Sequence, residues 1–234
     1  MKKTLTLKWL REQIASPDRS LILSEFVEME AAAARELPAP FQSWTKISDE
    51  DGEERFAPGW PMFLTGLKSL PLAVAIGLSR HEGDLLLNGV ESLSDRAAKY
   101  LGRHEGALHL GGLNALSDTA ARHLGEHTGY LGLGGLRQIS VRAAESLSRN
   151  RGSLCLSGLE HVSDEMAAML SRHVGVLFLG EHTVLTDEAR HQLTQHDGQV
   201  IFANRNLAVS DLEKGEEPDA SMKISISKDL AKED

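Results

Sequence analysis

All ten histidines of this chain lie between residues 81 and 196, and five are separated by multiples of 23 residues: His81, His104, His127, His173 and His196. Asn150 fills the remaining slot of that series. Neutral imidazole is a common zinc ligand, so the row is first weighed as a metal site. Zinc needs three or four ligands converging on one point at about 2.0–2.1 Å. Residues recurring at a constant interval instead stack in a line, with a spacing of about 4.8 Å, and do not converge. Asparagine forms hydrogen bonds similar to those of histidine but is a poor metal ligand. The row therefore reads as a structural ladder, each imidazole in the last turn of a helix facing orphan carbonyls and the negative end of the dipole. No metal and no cofactor is expected.

The other chemistry-bearing residues also read as structural. Cys155 is the only cysteine. A nucleophile needs a base beside it that is oriented by a third group, and the only conceivable base is His109, 46 residues earlier at the equivalent place. The carboxylates Asp95, Asp118, Asp164 and Asp187 each follow Ser94, Ser117, Ser163 or Thr186. A hydroxyl residue followed by an acid is the signature of a helix N-terminus, so these are solvated helix-terminal charges and not a catalytic row. The recurring glycines form no phosphate-binding G-x-x-x-x-G-K-[ST] string and are assigned to turns. No catalytic residue is expected, and the chain reads as non-enzymatic.

The element that positions all of these is a repeat. The chain runs as six 23-residue units over 60–197, with a partial seventh from Gly198. Their common pattern is G-x-L-x-L-x-G-L-x-x-L-S-D-x-A-A-x-x-L-x-x-H-x. Position 3 is Met62, Leu85, Leu108, Leu131, Leu154, Leu177 and Val200, and position 5 is Leu64, Leu87, Leu110, Leu133, Leu156, Leu179 and Phe202. Apolar residues at alternate positions predict a short strand with one buried face. Positions 15, 16 and 19, such as Ala97, Ala98 and Leu101, share one face of a short helix that starts after the hydroxyl cap. The glycine of position 1 then suits the helix exit. A unit of this size cannot bury its own apolar face, so neighbours must stack and share a core.

The segment Leu108-His109-Leu110-Gly111-Gly112-Leu113-Asn114-Ala115-Leu116-Ser117-Asp118-Thr119-Ala120-Ala121 resembles leucine-rich repeats, in particular the cysteine-containing subclass, with Leu113 where that subclass has cysteine and Ser117-Asp118 where it has Thr-Asp. The resemblance implies an α/β solenoid with a parallel inner sheet and outer helices. It implies a concave face lined by strand position 4 and brings no catalytic residue. Position 4 is Phe63, Leu86, His109, Gly132, Cys155, Phe178 and Ile201, joined by Tyr130 at position 2. Because positions 3 and 5 point inward, position 4 must point outward. Exposed apolar side chains in a row mark a binding surface. The expected site is therefore Phe63, Leu86, His109, Tyr130, Cys155, Phe178 and Ile201, with a protein as partner. The competing reading is that the N-terminal segment or the tail covers this stripe.

The flanks carry the charge. The net charge is −9, with 8 bases against 11 acids in 1–59, 13 against 15 in 60–209 and 4 against 8 in 210–234. No Lys/Arg cluster occurs, so neither nucleic acid nor an anionic membrane is an expected partner. No 18-residue apolar run predicts a transmembrane helix, Lys8 and Arg11 interrupt any signal-peptide core, and a single cysteine fits a reducing, cytoplasmic setting. Residues 1–59 are expected to form a helical N-terminal cap or docking segment, with helices over 4–15 and 17–36 followed by a loop. The solenoid occupies 60–209, and 210–234 is an acidic tail expected to be disordered. The preferred function is a protein–protein interaction scaffold. The alternatives are a self-associating structural protein, which concentration-dependent oligomers would reveal, and a metal-dependent protein using the histidine row, which stoichiometric metal would reveal.

Overall fold

A computed structural model describes residues 4–6, 8, 28–30, 33, 45–48, 54–57, 62–203 and 224–225. Seven strands form a parallel sheet: β5 (Met62–Phe63), β6 (Leu85–Leu86), β7 (Leu108–His109), β8 (Leu131–Gly132), β9 (Leu154–Leu156), β11 (Leu177–Gly180) and β13 (Val200–Ala203). Every pairing joins residues one repeat apart, such as Met62 with Leu85 and Leu177 with Val200. The 23-residue interval of the sequence is thus the register of the sheet.

Six helices alternate with these strands among the described residues: α1 (Leu72–Leu78), α2 (Asp95–Leu101), α3 (Asp118–Leu124), α4 (Val141–Leu147), α5 (Asp164–Leu170) and α6 (Asp187–Thr194). Each packs against the next in chain order. The hydroxyls of Ser94, Ser117, Ser140, Ser163 and Thr186 accept a hydrogen bond from the backbone N–H three residues on, which satisfies one orphan donor of the first turn. Three caps also tie neighbouring repeats together. The hydroxyls of Ser117, Ser140 and Thr186 donate to the carboxylates of Asp95, Asp118 and Asp164. Val141 stands where the next acid of that series would be, and Ser163 has no carboxylate partner.

One core runs between the sheet and the helices. The leucines of positions 3 and 5 and the residues of positions 15, 16 and 19 are buried in a single cluster, including Leu85, Leu87, Ala97, Ala98 and Leu101 at 0% exposure. Leu67, Val90, Leu113, Leu136 and Leu159, at position 8, close it at the turn. Arg190 takes the place of alanine at position 16 of the last full repeat and is exposed; among the described residues no further helix packs on that side of α6.

The glycines of position 7 lie in turns as expected, Gly112 inside the one closed by the Leu113 N–H to the Leu110 carbonyl at 3.2 Å, and space requires them as well. A Cβ on Gly112 would stand 2.1 Å from the carbonyl oxygen of Asn88, and one on Gly89 2.1 Å from that of Thr65. At position 1, a Cβ on Gly106 would lie 2.5 Å from the oxygen of Gly83. Each helix ends at position 19 or 20, before that glycine, with a cap in the right-handed region at residues such as Gly102, Gly125 and Ser148.

The flanks depart from the helical expectation. Two short parallel strands, β1 (Thr4–Leu5) and β2 (Glu28–Met29), pair with each other, inside the segments expected to be helices over 4–15 and 17–36. Lys8 and Ala33 are helical, and residues 11–27 of the expected helices lie outside the described residues. Leu5, Met29 and Ala33 are buried in the same cluster as the repeat core. Within the expected loop, β3 (Thr45–Ser48) and β4 (Glu54–Ala57) pair antiparallel, with Asp49, Glu50, Asp51 and Glu53 in the sequence between them. In the tail, β14 (Ile224–Ser225) pairs antiparallel with β13 and extends the sheet by one strand. The remaining tail residues lie outside the described set. A smaller parallel pair, β10 (His161–Val162) with β12 (Val184–Leu185), joins the last two full repeats at the turn before their helices.

Candidate functional site

Position 4 of each strand is flanked by two inward leucines, so period-2 geometry sends it to the opposite face from the core. The strand register then brings these residues together in order: Phe63 beside Leu86, Leu86 beside His109, His109 beside Gly132, Gly132 beside Cys155, Cys155 beside Phe178 and Phe178 beside Ile201. Phe63, His109, Cys155, Phe178 and Ile201 are all half-buried. Leu86 is different. It is 3% exposed and stands outside the core cluster, so it offers no surface of its own. Among the described residues, the strongly exposed large hydrophobics are Val174 and Val184, and no apolar member of the row is one of them.

The centre of the row is polar and built around Tyr130. Its ring lies 4.8 Å from the ring of His109, tilted by 36°. The same ring reaches over Gly132, its Cε1 3.0 Å from where a Cβ would stand. The Tyr130 hydroxyl lies close to Cys155, whose thiol donates to the Ser157 hydroxyl at 3.5 Å. Burial pushes the phenol pKa well above its ordinary value, with the neighbouring Cys155 acting in the same direction, so Tyr130 remains a proton donor at neutral pH. Burial lowers the His109 pKa, opposed by the carboxylate of Asp84, so this imidazole favours its neutral form. Asp84 itself accepts a hydrogen bond from the Ala107 N–H at 2.8 Å.

Sequence spacing placed His109 and Cys155 in line but missed what lies between them. The Tyr130 ring stands against His109 and reaches Cys155, so the thiol meets a phenol and a hydroxyl instead of a base. A legible signal existed: a large aromatic at position 2 followed by a glycine at position 4 places both on one strand face, where the ring fills the missing side chain. Ser157, two residues after Cys155, was missed for lack of a periodic pattern at position 6. The arrangement offers hydrogen-bonding groups between two apolar flanks and fits recognition better than bond making.

The histidine series forms a second row, placed differently from the expectation. Position 22 lies beyond the helix, its backbone N–H bonded to the last helical carbonyl, as from His104 to Leu101 at 2.9 Å. His81, His104, His127, His173 and His196 are all buried, as is Asn150. The rings of His81 and His104 stack at 6.4 Å and those of His104 and His127 at 6.3 Å, within 5° of parallel. His173 and His196 lie 5.7 Å apart with a tilt of 54°. Asn150 shows the local acceptors: its amide donates to the carbonyls of His127 at 2.7 Å and Gly129 at 3.2 Å. Among the described residues, the ring nitrogens of His104, His127 and His173 meet no protein group in hydrogen-bond geometry. Nearby carbonyls such as that of Gly83 still partly favour a protonated ring. Among the described residues, no group of three or more His, Cys, Asp or Glu side chains is arranged to hold a metal ion.

The fold and its two rows define a repeated strand–helix α/β protein with one patterned outward strand face. No protein-family model and no curated protein matches the chain. Among the described residues, no helix is long and apolar enough to cross a membrane.

Proposed function

We propose that this chain is a leucine-rich-repeat solenoid that binds a protein partner through the outward face of its parallel strands. The observation that carries this reading is the row from Phe63 through His109, Tyr130 and Cys155 to Phe178 and Ile201, interrupted only at the buried Leu86 and held in register by successive strand pairs. Aromatic anchors flanking a cluster of hydrogen-bonding groups are the composition that interfaces favour. The lone thiol of Cys155, free of any disulfide, supports a reducing, cytoplasmic setting. Leu86, at 3% exposure, does not contact the partner.

Photo-crosslinking tests this assignment. A photoreactive residue at Cys155 should yield a crosslink to a partner, while one at Arg142, exposed on α4, should not. Equal yields from both positions would place binding elsewhere. Crosslinks from Cys155 only to a second copy of the chain would favour self-association.

A further inference from the structure

The partner-binding face leaves the buried histidine row unexplained. Five imidazoles sit at 0–5% exposure in one line, three in a parallel stack and two in a second group. Asn150, which carries no titratable group, stands between the two sets at the same repeat position. Row members meet one another across single repeat interfaces, so a charge on one is felt by the next. Among the described residues, the charged and titratable groups that act on His104, His127, His173 and His196 are the row's own histidines, Asp84 near His104 and Asp197 beside His196. The remaining polar groups facing it are backbone, such as those of Gly83, Gly106 and Gly198.

We propose that this row is an acid-sensitive switch in which protonation opens the repeat body between its coils, with Asn150 as an uncharged spacer dividing the response into two blocks. A protonated imidazole here would be buried, imperfectly hydrogen-bonded and, in the first block, next to another of the same charge. Opening the interface between coils restores water to each ring and separates the charges. Among the described residues, Asp84 and Asp197 cannot neutralise the four groups at His104, His127, His173 and His196.

The direction of the pH effect follows from burial. Desolvation lowers the pKa of His104 to about 4, with repulsion from His127 and His81 adding to it, and burial also lowers those of His127, His173 and His196. An unfolded histidine titrates near pH 6.5, so the open chain takes up protons first as pH falls. Stability contributed by the neutral row is complete above about pH 6.5 and is lost between there and the folded pKa values. For His104 alone the loss reaches roughly 100-fold in the folding constant by about pH 4.5.

Urea unfolding from pH 7.5 to 4.5 tests the switch in the full-length protein. The comparison is with His104→Asn/His127→Asn, which installs at two sites the side chain that Asn150 already carries. The wild type should lose stability steadily below about pH 6.5, and the variant should retain at least about 30-fold more of its folding constant at pH 4.5. Parallel pH dependences would overturn the proposal, since the loss would then belong to carboxylates. Should the variant not fold at pH 7.5, imidazole resonances of the wild type decide. Row histidines that stay neutral until the protein opens support the switch, and titration near 6.5 in the folded state overturns it. Asn150→His should move acid opening to higher pH by joining the blocks. An unchanged midpoint would remove the spacer role.

Discussion

The ring of Tyr130 occupies the space that a side chain at Gly132 would need, its Cε1 3.0 Å from the position of a Cβ there. Two neighbours on one strand face therefore divide a single volume, and the glycine is what allows the phenol to bridge His109 and Cys155.

That sharing has a measurable coupling. Gly132→Val should cost about 1–3 kcal/mol by overpacking against the ring. In a Tyr130→Ala background the cost should fall by at least about 0.5 kcal/mol, because the volume is then free. Denaturant unfolding of the four proteins in this cycle gives the coupling directly, and strict additivity would show that the ring and the glycine are independent.

Close stacking of coils rests on glycines at position 7. Gly112→Ala pushes a methyl to 2.1 Å from the backbone oxygen of Asn88, which cannot move without shifting the neighbouring coil. At Gly134 the nearest atom is the Ser157 hydroxyl oxygen at 2.9 Å, on a side chain free to rotate. Gly112→Ala should cost about 3 kcal/mol and Gly134→Ala much less, a gap of about 6 °C or more in melting temperature. Equal melting temperatures would count against backbone contact as the reason for the glycine.

Helix packing makes a similar contrast. Ala144 is fully buried against the adjoining helix, whereas His191 is exposed on the last one. Ala144→Arg should destabilise by more than about 3 kcal/mol, combining overpacking with a buried charge, while His191→Arg stays within about 0.5 kcal/mol. Thermal melts of both variants check this, and comparable melting temperatures would mean that position 16 does not face the next helix.

These elements differ in how far the sequence reveals them. The strand–helix alternation, the hydroxyl caps and the outward row were legible because each recurs at 23 residues, and repetition makes a weak local signal unambiguous. Position 22 was placed on the helix, yet the helix ends at position 19 or 20, since a cap in ordinary right-handed conformation leaves no mark in the sequence. The pairing of Thr4–Leu5 with Glu28–Met29, and of Ile224–Ser225 with β13, rests on two-residue strands joined over long separations. Such segments are too short to show a period, and their partners are chosen by tertiary contacts. The burial of Leu86 was illegible because period-2 reasoning gives a side chain's direction and not what lies over it.

The most direct test of the binding face is the affinity of Phe178→Ser and Phe63→Ser for a purified partner, measured alongside their melting temperatures. Both side chains lie half-buried in the outward row. Each substitution should weaken binding by about 2 kcal/mol, roughly 30-fold, while the melting temperature stays within a few degrees. Leu86→Ser, at a buried site, should instead lower stability. Unchanged affinity of the two phenylalanine variants at unchanged stability would contradict the account, and so would a large fall in their melting temperatures, which would mean that the chain covers this row itself.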